Sequence, residues 1–458
     1  MRRISRLWSL AAAMSLFVAA AAYGADSLNW RAKEDKVDAD IQSWDVITLL
    51  KKIARQTGWK VYVEKGAATT VSVKFKNLSQ EDALRRLLGA LNFSEDQTNG
   101  TTRLLVFRTA AKAATQSVTA EKKSYRIPNE DLVKLKRGAT NSIDDLAKKI
   151  GAKVKGRDDR IGLYRLQFDD AASAAAGLQS LASDPSVAAA DGNYSVDRPT
   201  PAALSQAPNS PGNPFNLNPQ PVTDGPIVGL VDTGVDPPAE FSPYVLTPIN
   251  VTGQQDVPGS DPSHGTGMLE TLLASMPNDP SKILPVDVYG SSASTSTYEV
   301  MEGILAAING GANPINLSLG GTEYSAMLGQ LIQEAEQKNI VFVAAAGNTP
   351  NEGGIYPASY PGVISVTAST QTVNGPITAT GGGTELASYA NDPDGTSVIA
   401  PGTGLVEWHG QMWVDEGTST ATASTTGTIA ELVNQNHMTI SQAVGQIMRA
   451  SPAPPAHH

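Results

Sequence analysis

Four residues have the types and settings to carry out acyl transfer together: Asp232, His264, Asn348 and Ser419. Ser419 lies in Gly417-Thr-Ser-Thr-Ala421, a small-residue turn running into a helical stretch that ends near Asn434. A serine at a helix start exposes its hydroxyl and sits in the positive field of the helix N-terminus, which suits a nucleophile. His264 stands between Ser263 and Gly265-Thr-Gly267 at the start of another helix, where glycines let neighbouring backbone approach. Of the three histidines in the acidic C-terminal body (His264, His409, His437), only His264 has the setting of a base. Asp232 ends the apolar run Pro226–Val231, which has the form of a strand buried on both faces of a parallel sheet. There it can fix an imidazole tautomer and stabilise the imidazolium, while the Asn348 amide, at another strand end, can donate to a tetrahedral oxyanion. Singly, each fits a plainer role: a flexible Gly-Thr-Ser loop, a structural histidine, a capping aspartate, a turn asparagine. Together they fill the four roles of one reaction.

The elements that must position them alternate as βαβ units. Strands are expected at 226–231, 283–288, 314–318, 340–345, 363–366 and 398–400, and helices at 268–274, 298–309, 324–338 and from Ser419 onward. The fold class is therefore α/β, with a doubly wound parallel sheet and the active site at the carboxyl ends of its strands.

With the motifs Val231-Asp-Thr-Gly234, His264-Gly-Thr-Gly267, Asn316-Leu-Ser-Leu-Gly-Gly321, Ala344-Ala-Ala-Gly-Asn348, Ala400-Pro-Gly402 and Gly417-Thr-Ser-Thr-Ala421 in this order, residues 224–450 resemble the subtilisin-like serine proteases. The resemblance implies an Asp232–His264–Ser419 triad, Asn348 in the oxyanion hole, and a cleft wall of Ser318, Leu319 and Gly320 that pairs with an extended peptide by β-augmentation. It places Ala344, Ala345, Ala346 and Gly347 beside the S1 pocket. Three departures stand out. Thr420, Thr422, Ala423 and Ser424 replace residues of the usual run after the serine, giving a helix of low intrinsic propensity. Gly267 stands where the family commonly has His, and Glu270 where it usually has glycine.

Charge divides the chain in two. It has 35 Lys and Arg against 45 Asp and Glu, a net charge of -10. Between Gly225 and Ala450, however, the only basic residues are Lys282, Lys338 and Arg449. A mildly basic N-terminal half and an acidic C-terminal body argue against nucleic acid as a partner and favour attraction between the halves. The absence of cysteine excludes a thiol nucleophile and disulfides. No cofactor is required for the chemistry, no metal site is assigned, and structural calcium is left open.

Residues 1–24, with Arg2, Arg3 and Arg6 before a short apolar run and the small residues Ala22 and Gly24 at its end, read as a signal peptide, hence a secreted or periplasmic protein. Residues 26–110 alternate strand and helix patterns; with Ala54-Arg-Gln-Thr-Gly58 and Asn77-Leu-Ser-Gln-Glu-Asp-Ala-Leu84 they resemble the short N-terminal domain of secretins and TonB-dependent receptors, implying an envelope protein as partner. An Ala/Thr/Lys stretch at 109–121 reads as a linker. Residues 122–197 form a second small α/β domain whose runs 148–157, 163–168, 183–187 and 191–194 resemble the propeptides of subtilisin-like proteases. The Pro- and Asn-rich segment 198–223 reads as an exposed linker and processing region, and 451–458 as a disordered tail. The whole is expected to be a secreted zymogen of a serine endopeptidase that cleaves peptides or proteins and its own propeptide, which otherwise inhibits it. The alternative is a catalytically weak or inactive envelope binding protein.

Overall fold

A computed structural model describes residues 27–31, 35–67, 69–98, 101–118, 125–139, 141–201, 203–207, 224–254, 259–350, 353–373, 385–393 and 395–451. The expected signal peptide, the Asn99-Gly100 pair that the sequence marks as a turn, and most of the processing region lie outside the described residues. The chain divides into two compact units, Met1–Lys123 and Ser124–His458. Among the described residues no helix is long and apolar enough to cross a membrane.

The first unit runs β1 (Ser27–Arg31), β2 (Lys36–Asp45), α1 (Val46–Thr57), β3 (Lys60–Glu64), β4 (Thr70–Leu78), α2 (Gln80–Leu88), β5 (Asn92–Thr98), β6 (Thr101–Phe107) and β7 (Ala114–Val118). Its sheets are ordered β1-β2-β4 and β5-β6-β3-β7. Both helices start at side-chain caps, Asp45 for α1 and Ser79 for α2, and bury Leu49, Leu50, Ile53, Leu84, Leu87 and Leu88 in one core. The expected linker at 109–121 is corrected here: β7 pairs antiparallel with β3. An edge strand needs only backbone partners and two buried side chains, Ala114 and Val118, so its polar composition concealed it.

The second unit opens with β8 (Arg126–Leu135), α3 (Ile143–Ile150), β9 (Lys153–Asp158), β10 (Leu163–Gln167), α4 (Ala171–Ser183) and β11 (Val187–Asp197). Strand alternation divides its side chains: Val133, Tyr164 and Leu166 pack under α3 and α4, whereas Leu132 and Leu163 join the core of the larger domain.

That domain comprises β12 (Ala203–Gln206), β13 (Ile227–Asp232), β14 (Ile249–Asn250), α5 (His264–Ala274), β15 (Ile283–Asp287), β16 (Ser294–Ser296), α6 (Thr297–Asn309), β17 (Ala312–Leu317), α7 (Ala326–Glu336), β18 (Phe342–Ala345), β19 (Ile364–Thr372), β20 (Val398–Trp408), β21 (Gln411–Glu416), α8 (Thr418–Asn436) and α9 (Ile440–Ala450). Its sheet is ordered β12-β21-β20-β19-β18-β17-β13-β15-β14, parallel from β20 to β14, with β21 and β12 antiparallel at one edge. Helices α6 and α7 share one core and α5 and α8 another, as a doubly wound sheet requires. Two expectations need correction. Part of the linker at 198–223 is the sheet strand β12, paired with β21. Ser451, expected in the disordered tail, accepts a hydrogen bond from Ile399 N at 2.9 Å.

The small domain and the body are joined by strand pairing and charge. β11 pairs antiparallel with β16, so the five-stranded sheet β16-β11-β8-β10-β9 takes its edge strand from the body. Lys134 meets Glu334 at 3.0 Å and Arg165 pairs with Glu299. Asp191 accepts from Ser325 Oγ (2.8 Å) and Met327 N (3.3 Å) at the start of α7.

Candidate active site

Asp232 comes last in β13 and is fully buried. His264 is the first residue of α5. Its Nδ1 lies 2.7 Å from Asp232 Oδ1, and its Nε2 is buried without a hydrogen-bond partner. The loop and helix that bring them together are tied by side chains: Thr233 N donates to Asp232 Oδ1 (2.7 Å), Gly265 N to Thr233 Oγ1 (2.8 Å), and Ser263 Oγ to Gly234 O (2.7 Å). Gly265 is required, because a Cβ there would stand 2.4 Å from Thr233 O.

Ser419 is the second residue of α8, and Asn348 follows β18 by three positions. Asn348 Oδ1 accepts from Thr418 N and Thr418 Oγ1, each at 2.9 Å, which fixes the side-chain amide at the start of α8 and leaves its Nδ2 as the donor. Ser419 Oγ donates to Ser318 O at 3.3 Å rather than to His264. The structure thus joins Asp232 and His264 at the end of β13 and sets Ser419 and Asn348 at the start of α8, with the serine hydroxyl turned toward Ser318, the residue after β17.

The predicted wall residues divide. Ser318 is buried and its hydroxyl donates to Ser419 O (3.0 Å), clamping the serine turn, while Leu319 belongs to the core and Gly320 is half-buried. Ala344, Ala345 and Ala346 are buried, and Asn391 Nδ2 donates to Ala346 O (2.8 Å). Gly347, at φ 106°, is the half-buried member of that group.

The threonine-rich helix expected to be poor is in fact the centre of the domain. Thr422, Thr425 and Thr426 donate to the carbonyls of Thr418, Ala421 and Thr422, so these three hydroxyls are satisfied within the helix. Its small residues let α5 come close, since a Cβ on Gly427 would meet Leu272 O at 2.6 Å. Propensity, a property of exposed helices, yields to packing here.

Sequence reasoning missed the part that two carboxyls play. Asp415, in β21, is 2% exposed, accepts from Thr420 Oγ1 at 3.3 Å, and fills the space a side chain at Gly267 would need, a Cβ there lying 2.6 Å from its Oδ2. Burial pushes its pKa up to about 6. Glu270 reaches from α5 to Glu407 N (2.6 Å) in β20, and burial pushes it up to about 9. Burial also pulls the His264 imidazole down, but the charge and hydrogen bond of Asp232, with Asp415 behind them, outweigh it and hold its pKa above the ordinary histidine value. The unusual Gly267 was the one signal of an intruding partner. Among the described residues no cluster of three or more His, Asp or Glu is placed to hold a metal ion.

With this geometry in hand, comparison with known proteins is specific. Residues 223–453 match the subtilase family, and residues 111–193 the fervidolysin N-terminal prodomain, the latter match beginning ahead of Ser124, where the second unit starts. Fervidolysin of Fervidobacterium pennivorans is 30% identical over 200 residues, 39% of this chain and 28% of that protein. A thermostable alkaline protease of Halalkalibacterium halodurans is 31% identical over 231 residues, 47% of this chain and 58% of that one. The chain thus spans between about a quarter and somewhat over half of these relatives' lengths. The crystal structure of fervidolysin, a keratinolytic enzyme related to subtilisin, superposes with a TM-score of 0.54 at 21% identity, covering 70% of this chain and 56% of that one, a likeness of fold.

Proposed function

The chain belongs to the subtilase family, and from that premise we propose that it is a serine endopeptidase made as a zymogen. The observation that carries the reading is the buried Asp232–His264 pair, whose bonded Nδ1 leaves Nε2 without a partner. Ser419 Oγ, swung from Ser318 O to Nε2, gives its proton to the imidazole and attacks the scissile carbonyl. Asp232 stabilises the imidazolium and Asn348 Nδ2 the oxyanion; His264 returns the proton to the leaving amine, and water then hydrolyses the acyl-enzyme. No cofactor takes part.

The domain at 122–197 acts as the intramolecular inhibitor, and self-cleavage within 198–223 frees the body. Segment 1–24 directs export to the periplasm or medium, and the module at 26–110, like the secretin short N-terminal domain, docks to an envelope protein. The ion pairs Lys134–Glu334 and Arg165–Glu299 support docking by charge. Mass analysis of the secreted protein and of Ser419→Ala tests self-processing; the same fragments from both would refute it.

A second reading, a binding body without activity, draws on the turn of Ser419 Oγ toward Ser318 O. Labelling by a fluorophosphonate, which needs an activated serine, decides between them.

A further inference from the structure

Beyond Asp197 the chain leaves the small domain and crosses the cleft, and its first residue there is held by more than strand pairing. Arg198 N donates to Ala293 O at 2.9 Å, extending the antiparallel register in which Asp197 faces Ser294. Its Nη1 donates to Gly290 O (2.8 Å) and Ser292 O (3.1 Å), and its guanidinium carbon lies 5.8 Å from the centre of the Tyr289 ring.

The loop that offers these groups is braced from behind. Asp287, 6% exposed, accepts from Tyr289 N and Gly290 N through Oδ1, both at 2.9 Å. Gly290 takes φ 52°, and a Cβ there would stand 2.5 Å from Thr252 Oγ1. Two carbonyls and a ring face are therefore fixed by the fold, a set that accepts hydrogen bonds and attracts a planar cation. The site opens on a cavity of about 700 Å³ that Pro199, Asp236, Asp261 and His264 also line. Two carboxylates on its walls, in a body with only three basic residues between Gly225 and Ala450, add a negative field.

We infer that Tyr289, Gly290 O and Ser292 O form a guanidinium subsite of the cleft, held by Arg198 as a stand-in for substrate, and that the protein's substrates are peptides with arginine at this register. The inference rests on the endopeptidase reading. Any extended peptide that adds to the β16 edge in the place of β11 presents the corresponding side chain at the same spot. Lysine fits less well, because one ammonium must divide itself between the carbonyls and the ring, whereas a guanidinium serves both.

The test uses the secreted protein after its own processing and four internally quenched peptides sharing Ser-Val-Asp-Xaa, followed by the same mixture of residues, with Xaa as Arg, Lys, Ala or Glu. The expected order of kcat/KM is Arg, Lys, Ala, Glu, with Arg above Ala by roughly tenfold to a hundredfold, the range for hydrogen bonds made by a charged group. Equal rates for Arg and Ala in a preparation that a fluorophosphonate labels would overturn the subsite and leave the endopeptidase standing. Neither cleavage nor labelling would overturn both.

Discussion

Two helices, α5 and α8, enter the site by their N-termini, and they are built in opposite ways. Ser263 caps α5 by accepting from Thr266 N, and Thr233 takes the Gly265 amide. No side chain of its own caps α8: Gly417 begins it in extended backbone, Asn348 takes Thr418 N, and the Ser419 amide remains among the first-turn donors that no intrahelical bond uses. The difference follows from charge. A helix N-terminus is positive, so an oxyanion beside Ser419 is favoured, whereas an imidazolium at His264 works against its own helix. Two buried carboxyls, Asp232 and Asp415, bear on His264 and offset that cost; Ser419 has no such need.

The strongest way to break the α8 side is to remove its nucleophile. Ser419→Ala should abolish fluorophosphonate labelling and lower peptide hydrolysis by about 10⁶-fold, the magnitude known for loss of the nucleophile in subtilisin itself. Asn348→Ala comes next. It removes both the amide donor and the acceptor of Thr418 N, and kcat should fall by about 10²–10³-fold, again the subtilisin magnitude, with a smaller change in KM. A loss confined to KM would mean that Asn348 only positions substrate.

This asymmetry was half legible in the sequence. Apolar runs mark β13, β17 and β18 because a parallel strand covered on both faces tolerates little else, and Asp232 and Asn348 follow from where those runs stop. Glycines around His264 signalled close backbone approach, which Gly265 against Thr233 O shows. What composition hid were elements held mostly by backbone: β7, with only Ala114 and Val118 buried, and β12 are edge strands among Ala, Ser and Gln. It also hid inward turns. Nothing in Trp413-Val-Asp-Glu416 says that Asp415 faces the helix carrying His264, because the space it fills is made by a glycine nearly 150 residues earlier.

The α5 side can be sharpened through Glu270, whose carboxyl is buried where the helix meets β20. Its folded pKa, about 9, lies above the ordinary glutamate value of 4.5, so the folded state holds a proton that the unfolded chain gives up. Its contribution is fully present below pH 4.5 and is lost as the pH rises toward about 9. Glu270→Gln keeps an acceptor for Glu407 N and removes the titration. It should therefore match the parent at pH 4 and exceed it at pH 7 by on the order of 3 kcal/mol, as read by urea unfolding. A gain that does not grow with pH would show that the carboxyl is not buried neutral.

The smallest effect probes the comparison most directly. Asp415 is charged above about pH 6 and bears on His264 together with Asp232 from β13; Arg198 opposes them while the chain crosses the cleft, and Asp236 and Asp261 line the same cavity. In Asp415→Asn the imidazolium loses one of its two favourable carboxylates, so His264 gives up its proton at lower pH. The acid limb of kcat/KM against pH should move downward in the processed enzyme, while Asp232 still fixes the ring. Because Asp415 and His264 titrate as a coupled pair, the parent's limb should also be broader than that of the variant, which has one group left to titrate there. An acid limb of unchanged position and width would mean that Asp415 only fills the space at Gly267, and that Asp232 alone balances the field of α5.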